Sequence, residues 1–86
     1  MGLYKLEFTS QSLVDLDGID ALVRKRILTK LEWFSEQADV VAFAHPLKGG
    51  NVLWYRFRVG DWRVIFEFHK GVVVILRVGH RSTIYR

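Results

Sequence analysis

The 86-residue sequence contains no cysteine and a single proline. Without cysteine the chain can form neither a disulfide nor a zinc site of the cysteine type. Its histidines are His45, His69 and His80, and none of them lies at the spacing of a metal-binding motif. We therefore expect neither a metal nor any other cofactor.

Long hydrophobic stretches are also missing. No apolar run is longer than Val72 to Leu76, which falls far short of the roughly 20 residues that cross a bilayer. The first seven residues, Met-Gly-Leu-Tyr-Lys-Leu-Glu, include no apolar signal region. Half of the residues are apolar, which suits one compact core at this length. We expect a single domain over residues 1–86 in the cytoplasm.

Acidic residues are scarce in the second part of the chain. Residues 51–86 carry seven basic side chains against two acidic ones, a net charge of +5, whereas residues 1–50 carry −1. Six of the seven basic residues are arginines, whose planar guanidinium can donate two hydrogen bonds to one phosphate. The asymmetry predicts that this part of the molecule binds a polyanion.

The first half predicts a strand followed by two helices. Leu3 to Phe8 largely alternates apolar and polar residues, and Thr9 or Ser10 can cap a short helix that ends near Gly18. Asp20 can cap a longer amphipathic helix over roughly residues 20–37. Its apolar positions are Ile19, Leu22, Val23, Ile27, Leu31 and Phe34. Residues 38–51, with Pro46 and a glycine pair, favour a loop.

The second half predicts three strands joined by tight turns. The strands are Val52 to Val59, Trp62 to His69 and Val72 to Val78, with turns at Gly60-Asp61 and Lys70-Gly71. The last strand is apolar on both faces, which favours the centre of the sheet. The order β-α-α-β-β-β indicates an α+β fold, a small antiparallel sheet with both helices packed on one face.

Strand periodicity separates the arginines from the core. Arg56 and Arg58 are two residues apart and share a face, while Tyr55, Phe57 and Val59 take the other, which we expect the helices to cover. A run of arginines on a solvated face is often only a solubility feature. Trp54, Tyr55 and Trp62 are likewise more often packing residues than base-stacking platforms.

Several segments together resemble the RelE branch of the RelE/ParE toxin superfamily. They are Leu47-Lys48-Gly49, the run from Arg56 through Val59-Gly60-Asp61-Trp62 to Arg63-Val64-Ile65-Phe66, then Val78-Gly79-His80-Arg81 and Ile84-Tyr85-Arg86. The resemblance covers nearly the whole chain. It implies a RelE-like microbial RNase-type fold and the toxin of a type II toxin–antitoxin system.

The resemblance further implies a ribosome-dependent endoribonuclease that cuts mRNA in the A site without a metal. In this reaction the ribose 2′-OH attacks the neighbouring phosphate. The implied partners are the ribosome, mRNA and a RelB-like antitoxin in a hetero-oligomeric complex. Two alternatives stay open: a ParE-like DNA gyrase poison, which is a binding toxin, and a degenerate homologue that binds antitoxin but cuts nothing. A generic RNA-binding domain is a further possibility.

The resemblance assigns roles to particular residues. Arg63 and Arg81 match phosphate-binding arginines, and Arg56 matches a basic position that contributes charge or proton transfer. Tyr85 matches the C-terminal tyrosine that stacks on or orients the substrate, or takes part in proton transfer. Lys48 and Arg58 match basic positions that hold RNA.

Proton transfer is where the sequence departs from the expected chemistry, because arginine stays protonated in proteins. His80, beside Arg81, can titrate near neutrality, and we hypothesise that it serves as acid or base; packing or an rRNA contact is the simpler interpretation. Arg24 and Lys25 are further candidate RNA contacts, although a basic run on a helix is usually only a solvated face.

Overall fold

The computed structural model describes residues 4–47 and 54–84. Two helices and five strands follow one another along the chain, with a short 3-10 turn at Val40–Phe43. The elements are β1 (Lys5–Phe8), α1 (Ser10–Asp17), α2 (Ala21–Ser35), β2 (His45–Leu47), β3 (Trp54–Val59), β4 (Trp62–His69) and β5 (Val72–His80). No helix within the described ranges is long and apolar enough to cross a membrane.

One five-stranded sheet has the strand order β1-β5-β4-β3-β2. The pairs from β2 through β5 are antiparallel, whereas β1 runs parallel to β5. A parallel pair is possible because β1 and β5 are far apart in the chain, with both helices and three strands between them. The predicted α+β class, with two helices and a mainly antiparallel sheet, is confirmed.

The helices begin and end where the sequence indicates. The hydroxyl of Thr9 accepts a hydrogen bond from the Ser12 N–H (3.1 Å), and the Asp20 carboxylate accepts one from the Leu22 N–H (3.2 Å), so each caps a helix start. Gly18 lies between the two helices as the C-cap of α1. These local signals mark the helix starts, and the Thr9 hydroxyl also donates to the Ile75 and Leu76 carbonyls of β5 (both 3.1 Å).

The core lies between this helical layer and one face of the sheet. Ile27, Leu31 and Phe34 of α2 are fully buried. The Phe34 ring packs against the rings of Phe57 and Phe66, at centroid distances of 4.2 and 5.3 Å. The helices therefore cover the face that carries Phe57 and Val59, as predicted, and the opposite face of β3 and β4 stays uncovered by helices.

Glycines occupy positions of positive φ in the turns of both hairpins. Gly60 has φ of +58°, as a two-residue turn with glycine first requires, and Lys70 and Gly71 have φ of +43° and +83°. Both turns lie at the predicted positions, so the register of β4 against β3 and β5 begins as the sequence indicates.

Three details of the predictions are wrong. Part of the segment 38–51 forms the 3-10 turn and the edge strand β2 instead of a loop throughout. Pro46 is compatible with an edge, because an edge strand can leave one N–H side unpaired. The centre of the sheet is β4, since β5 lies between β4 and β1. Leu22 is 79% exposed, because five residues separate it from buried Ile27 and place it about 140° around the helix.

Candidate functional site

Three arginines and one histidine meet at one end of the sheet. Arg56 of β3, Arg63 of β4 and Arg81 just after β5 line a pocket of about 400 Å³ together with His80 and Ser82. The pairing of Arg58 with Arg63, and of Arg63 with Gly79, brings the strand ends together. Four of the predicted site residues therefore share one pocket, although they are up to 25 positions apart in sequence.

The β3–β4 turn orients two of these arginines. The backbone N–H of Arg81 donates to the Asp61 carbonyl (2.8 Å), and its Nε lies 3.4 Å from the Asp61 carboxylate. Arg63 Nη1 donates to the carbonyls of Gly60 (2.9 Å) and Trp62 (3.0 Å). The Arg81–Asp61 ion pair is exposed on both sides, so it is weak and readily exchanged for a ligand anion.

His80 has a defined orientation. Its Nδ1 lies 2.8 Å from the Ser82 hydroxyl and accepts a hydrogen bond from the Ser82 backbone N–H (3.2 Å). A backbone N–H can only donate, so Nδ1 of the neutral ring acts as acceptor and Nε2 carries the proton. The ring also meets the Trp62 ring edge to face at 5.4 Å. The neutral imidazole thus offers its Nε2–H as a donor.

The segment after β5 folds back onto the open face at Gly79. Residues 81–84 form a turn in which the N–H of Ile84 donates to the His80 carbonyl (3.0 Å). Ile84 packs on Gly79, where a Cβ would lie only 3.2 Å from the Ile84 Cδ1. The absence of a side chain at Gly79 therefore lets the turn lie close to the sheet and places Arg81 and Ser82 beside the pocket.

The remaining predicted residues lie elsewhere. Arg58 is exposed on the open face, paired with Arg63 across the hairpin, but it does not line the pocket. Lys48 and Tyr85 lie outside the described residues. Their roles stay predictions.

The two helical candidates are separated from the pocket by the core. Arg24 Nη1 donates to the carbonyls of Leu16 (3.2 Å) and Ile19 (3.4 Å), so it stabilises the end of α1 and the connection to α2. Lys25 is exposed on the outer surface of α2, where it lines a groove with Leu22 and Trp33. An RNA contact at either residue stays a prediction, and it would form a surface separate from the arginine pocket.

Two contributors to the pocket were absent from the predicted set. Ser82 follows His80 by two positions, a spacing at which serine commonly bonds to local groups, and this signal was available in the sequence. Asp61 was recognised only as a turn residue. Its contact with Arg81 joins two turns at the same sheet end and depends on the pairing of β4 with β5.

The pocket suits a phosphate diester. Guanidinium groups from three strand ends can surround the anionic oxygens, and they remain charged at every pH relevant to proteins. Among the residues described, no group of three histidine or acidic side chains is arranged to hold a metal ion. The side chain that can exchange a proton within the pocket is His80.

Comparison with known proteins places the chain in a family. A family model described as ParE toxin of type II toxin–antitoxin system, parDE, matches residues 6–85. Toxin RelE3 of Methanocaldococcus jannaschii is 29% identical over 83 residues, which are 94% of each chain.

Solved structures show the same fold. The RelBE2 toxin–antitoxin complex of Mycobacterium tuberculosis contains a chain with a TM-score of 0.82 at 24% identity, with 95% of both chains covered. The isolated E. coli RelE toxin has a TM-score of 0.71 at 25% identity, covering 95% of this chain and 90% of that one.

Proposed function

The chain belongs to the RelE/ParE family of toxins of type II toxin–antitoxin systems, and we propose that it is a ribosome-dependent endoribonuclease that cuts mRNA in the A site. The observation that carries this proposal is the convergence of Arg56, Arg63, Arg81 and His80 on one pocket. A toxin that acts only by binding has no need for three phosphate-binding side chains around a histidine.

The reaction that fits the pocket is an intramolecular transfer at phosphorus. The ribose 2′-oxygen attacks the adjacent phosphorus and releases its proton to solvent water, a pentacoordinate phosphorane forms, and the bond to the 5′-oxygen breaks. The leaving 5′-oxygen takes up a proton, so the products are a 2′,3′-cyclic phosphate and a 5′-hydroxyl. Preorganised guanidinium donors stabilise the charge that builds on the phosphorane oxygens.

His80 is suited to act as the acid. The neutral ring is too weak an acid for this step, so the acid is the imidazolium, in which Nδ1–H donates to the Ser82 hydroxyl 2.8 Å away and Nε2–H protonates the leaving 5′-oxygen. This leaves a neutral ring, and such a contribution is typically worth about 10²- to 10⁴-fold in rate. Tyr85, by its resemblance to the tyrosine at the end of RelE toxins, would orient the nucleotide or take part in proton transfer.

The partner that we propose is a RelB-like antitoxin, in a hetero-oligomeric complex in the cytoplasm. The solved complexes from Mycobacterium tuberculosis and Pyrococcus horikoshii pair toxins of this fold with RelB-type proteins. Arg58, Arg63 and Arg81 lie on or beside the face that no helix covers. An acidic antitoxin segment lying over this face would occupy the phosphate site and block the RNA.

A second candidate function is poisoning of DNA gyrase. It is favoured by the description of the matching family model, which is that of a ParE toxin. Gyrase inhibition by binding would tolerate the loss of His80, whereas RNA cleavage would not.

The chemistry of the cut separates these functions. The protein is incubated with ribosomes that carry an mRNA, and in parallel with gyrase and relaxed plasmid. The nuclease proposal predicts fragments ending in a 2′,3′-cyclic phosphate, no fragments when the A-site riboses are 2′-O-methylated, and unimpaired supercoiling. Inhibited supercoiling together with intact mRNA would transfer the assignment to the gyrase poison.

A further inference from the structure

An exposed tryptophan lies beside the arginine pocket on the open face of the sheet. Trp54 begins β3, and its side chain is 43% exposed. It precedes Arg56 by two positions on the same strand, so both side chains lie on the same face, with backbones about 7 Å apart. The cross-strand partners, Glu67 of Trp54 and Ile65 of Arg56, lie on that face as well.

The orientation of the indole is held by a hydrogen-bonded chain. Trp54 Nε1–H donates to Glu67 Oε1 (2.9 Å), and Glu67 Oε2 lies 2.9 Å from His69 Nε2. The hydrogen bonds from His69 and Trp54 lower the pKa of Glu67. The carboxylate thus stays ionised as an acceptor for the indole near neutral pH. Since the polar edge of the ring is already bonded, what the ring can still offer a ligand is its π-face.

A second tryptophan shows what makes Trp54 unusual. Trp33 of α2 is also 43% exposed, but its ring meets Phe43 edge to face at 5.1 Å, and the Lys30 ammonium lies 5.6 Å from its centroid. For Trp54 the described ranges contain neither an aromatic neighbour nor a cation over the ring. Exposure alone therefore does not distinguish the two rings, whereas their surroundings do.

The neighbours of Trp54 indicate what lies on its ring. A rigid aromatic face next to a row of arginines is the combination that binds single-stranded nucleic acid, in which the cations hold phosphates while the ring stacks on a base. An apolar protein side chain could cover an indole equally well. It would not, however, use the guanidinium groups of Arg56 and Arg58 two and four positions further along the strand.

We propose that Trp54 is a stacking platform for a base of the bound RNA, next to the phosphate held by Arg56, Arg63 and Arg81. This inference rests on the proposed function, since the RNA is the substrate of that pocket. Stacking is tolerant of base identity, so the platform fixes the position of the strand and leaves the choice of sequence to other contacts. Trp54 is a substrate-binding residue in this account and transfers no proton.

The test is a thermodynamic cycle between the ring and the base. Ribosomes are programmed with mRNAs whose A-site riboses are 2′-O-methylated, so that they cannot be cut, and single abasic sites are placed through and around the codon. Binding is followed with toxin carrying one dye on an introduced cysteine, which the natural chain lacks. Wild type, Trp54→Ala, Trp54→Phe and the equally exposed control Trp33→Ala are compared, with the fold of each checked by circular dichroism.

In the wild type we expect one abasic position to weaken binding by about 5- to 150-fold, the range for loss of one stacked base. This penalty should nearly vanish in Trp54→Ala, be reduced but present in Trp54→Phe, and be unchanged in Trp33→Ala, because only Trp54→Ala removes the platform. If the Ala variant does not fold, the Phe variant answers the question, since a smaller ring should give a reduced penalty at the same position.

Equal abasic penalties in wild type and Trp54→Ala would overturn the inference, as would a wild type that is indifferent to every abasic site. If Trp54→Ala weakens only the binding of antitoxin and not that of mRNA, Trp54 is a protein contact, and this result would also overturn the inference. The proposed nuclease activity can fail independently of this inference. If the abasic penalty on methylated mRNA depends on Trp54 but unmethylated mRNA is not cut, Trp54 is a stacking platform and the nuclease proposal is wrong.

Discussion

The residues of the pocket have two different roles, phosphate binding by the arginines and proton transfer by the histidine. Arg56, Arg63 and Arg81 supply permanent positive charge, which stabilises a phosphorane but cannot move a proton at neutral pH. His80 is the side chain in the pocket that can both hold and release a proton. The hydrogen bond from the Ser82 N–H to its Nδ1 sets the tautomer of the neutral ring. The account therefore assigns charge stabilisation to the arginines and acid catalysis to the histidine.

Substituting the histidine tests this division. His80→Gln keeps a polar side chain but cannot exchange a proton, so we expect cleavage to fall by about 100-fold while binding to the ribosome is nearly unchanged. Single-turnover cleavage with saturating toxin measures the first quantity, and co-sedimentation with ribosomes measures the second. Near-normal cleavage by His80→Gln would rule out the acid role.

Residue patterns alone predicted only part of this pocket. The two-residue period placed Arg56 and Arg58 on the open face, whereas Arg63 and Arg81 were singled out by the resemblance to RelE toxins and His80 by its position beside Arg81. The same period applies to Trp54, but its exposure and its bond to Glu67 depend on the neighbouring strand. Periodicity alone therefore cannot tell an exposed, oriented tryptophan from a packing residue, because the difference depends on contacts with the neighbouring strand.

At the scale of elements, an irregularity in β5 controls how its end meets the pocket. Ile65 pairs with Arg77 and Phe66 with Ile75, so Leu76 has no partner and forms a bulge. The buried positions change from Val73 and Ile75 to Val78 across it. Because both faces of this strand are apolar, its sequence pattern alone could not locate the bulge.

Asp15 of α1 holds the strand just after the bulge. Its carboxylate accepts hydrogen bonds from Arg77 Nε, from the Val78 backbone N–H (both 2.9 Å) and from Gln11 (3.0 Å). Burial by itself would raise the pKa of Asp15. The hydrogen bonds from Arg77, Val78 and Gln11 outweigh it and leave the pKa below its ordinary value of 3.8. The ionised form is therefore the one that stabilises the fold.

Asp15→Asn should lower the free energy of unfolding by about 1–2 kcal/mol at pH 7. This is the usual contribution of a hydrogen bond to a charged group, made smaller because Arg77 is half exposed to solvent. A lowered pKa contributes stability above the unfolded value and loses it as pH falls through the folded one. Urea unfolding should thus show a constant difference above about pH 5 that shrinks below about pH 4. Asp17→Asn, exposed on the same helix, is the control. A pH-independent difference would contradict this account.

Local signals were sufficient for some elements and insufficient for others. Short stretches of sequence are enough to predict the helix caps at Thr9 and Asp20. The same holds for the turn glycines Gly60 and Gly71, which have positive φ. The strand β2 was missed because three residues around a proline carry little signal of their own. It forms because the edge of β3 offers it partners, a property of the sheet and not of the segment.

Across the whole molecule, charge is divided between two surfaces. The open face of the sheet and its pocket carry Arg56, Arg58, Arg63 and Arg81, while Lys25, Arg26 and Lys30 lie on the outside of α2, beyond the core. If RNA binds at the open face, only the first group displaces counterions from it. The two groups should then differ in how they affect binding at different salt concentrations.

Salt titration of binding to programmed ribosomes measures this difference. Each phosphate contact on a single strand contributes about −0.7 to the slope of log K against log salt, so Arg63→Ala should make the slope less steep by about that amount. Arg26→Ala removes an equal charge from the outer surface of α2 and should leave the slope nearly unchanged. Equal changes in the two variants would indicate a diffuse electrostatic effect instead of a defined phosphate site.

The most direct test of the central claim is primer extension on an mRNA in a purified translation system, with wild type, Arg81→Ala and the control Arg26→Ala in parallel. The account predicts cuts within A-site codons that need ribosomes, persist in Arg26→Ala and fall by about 100-fold in Arg81→Ala, the loss typical of removing one transition-state donor. Intact mRNA with folded wild-type protein, or undiminished cutting by Arg81→Ala, would contradict the assignment of this pocket to RNA cleavage.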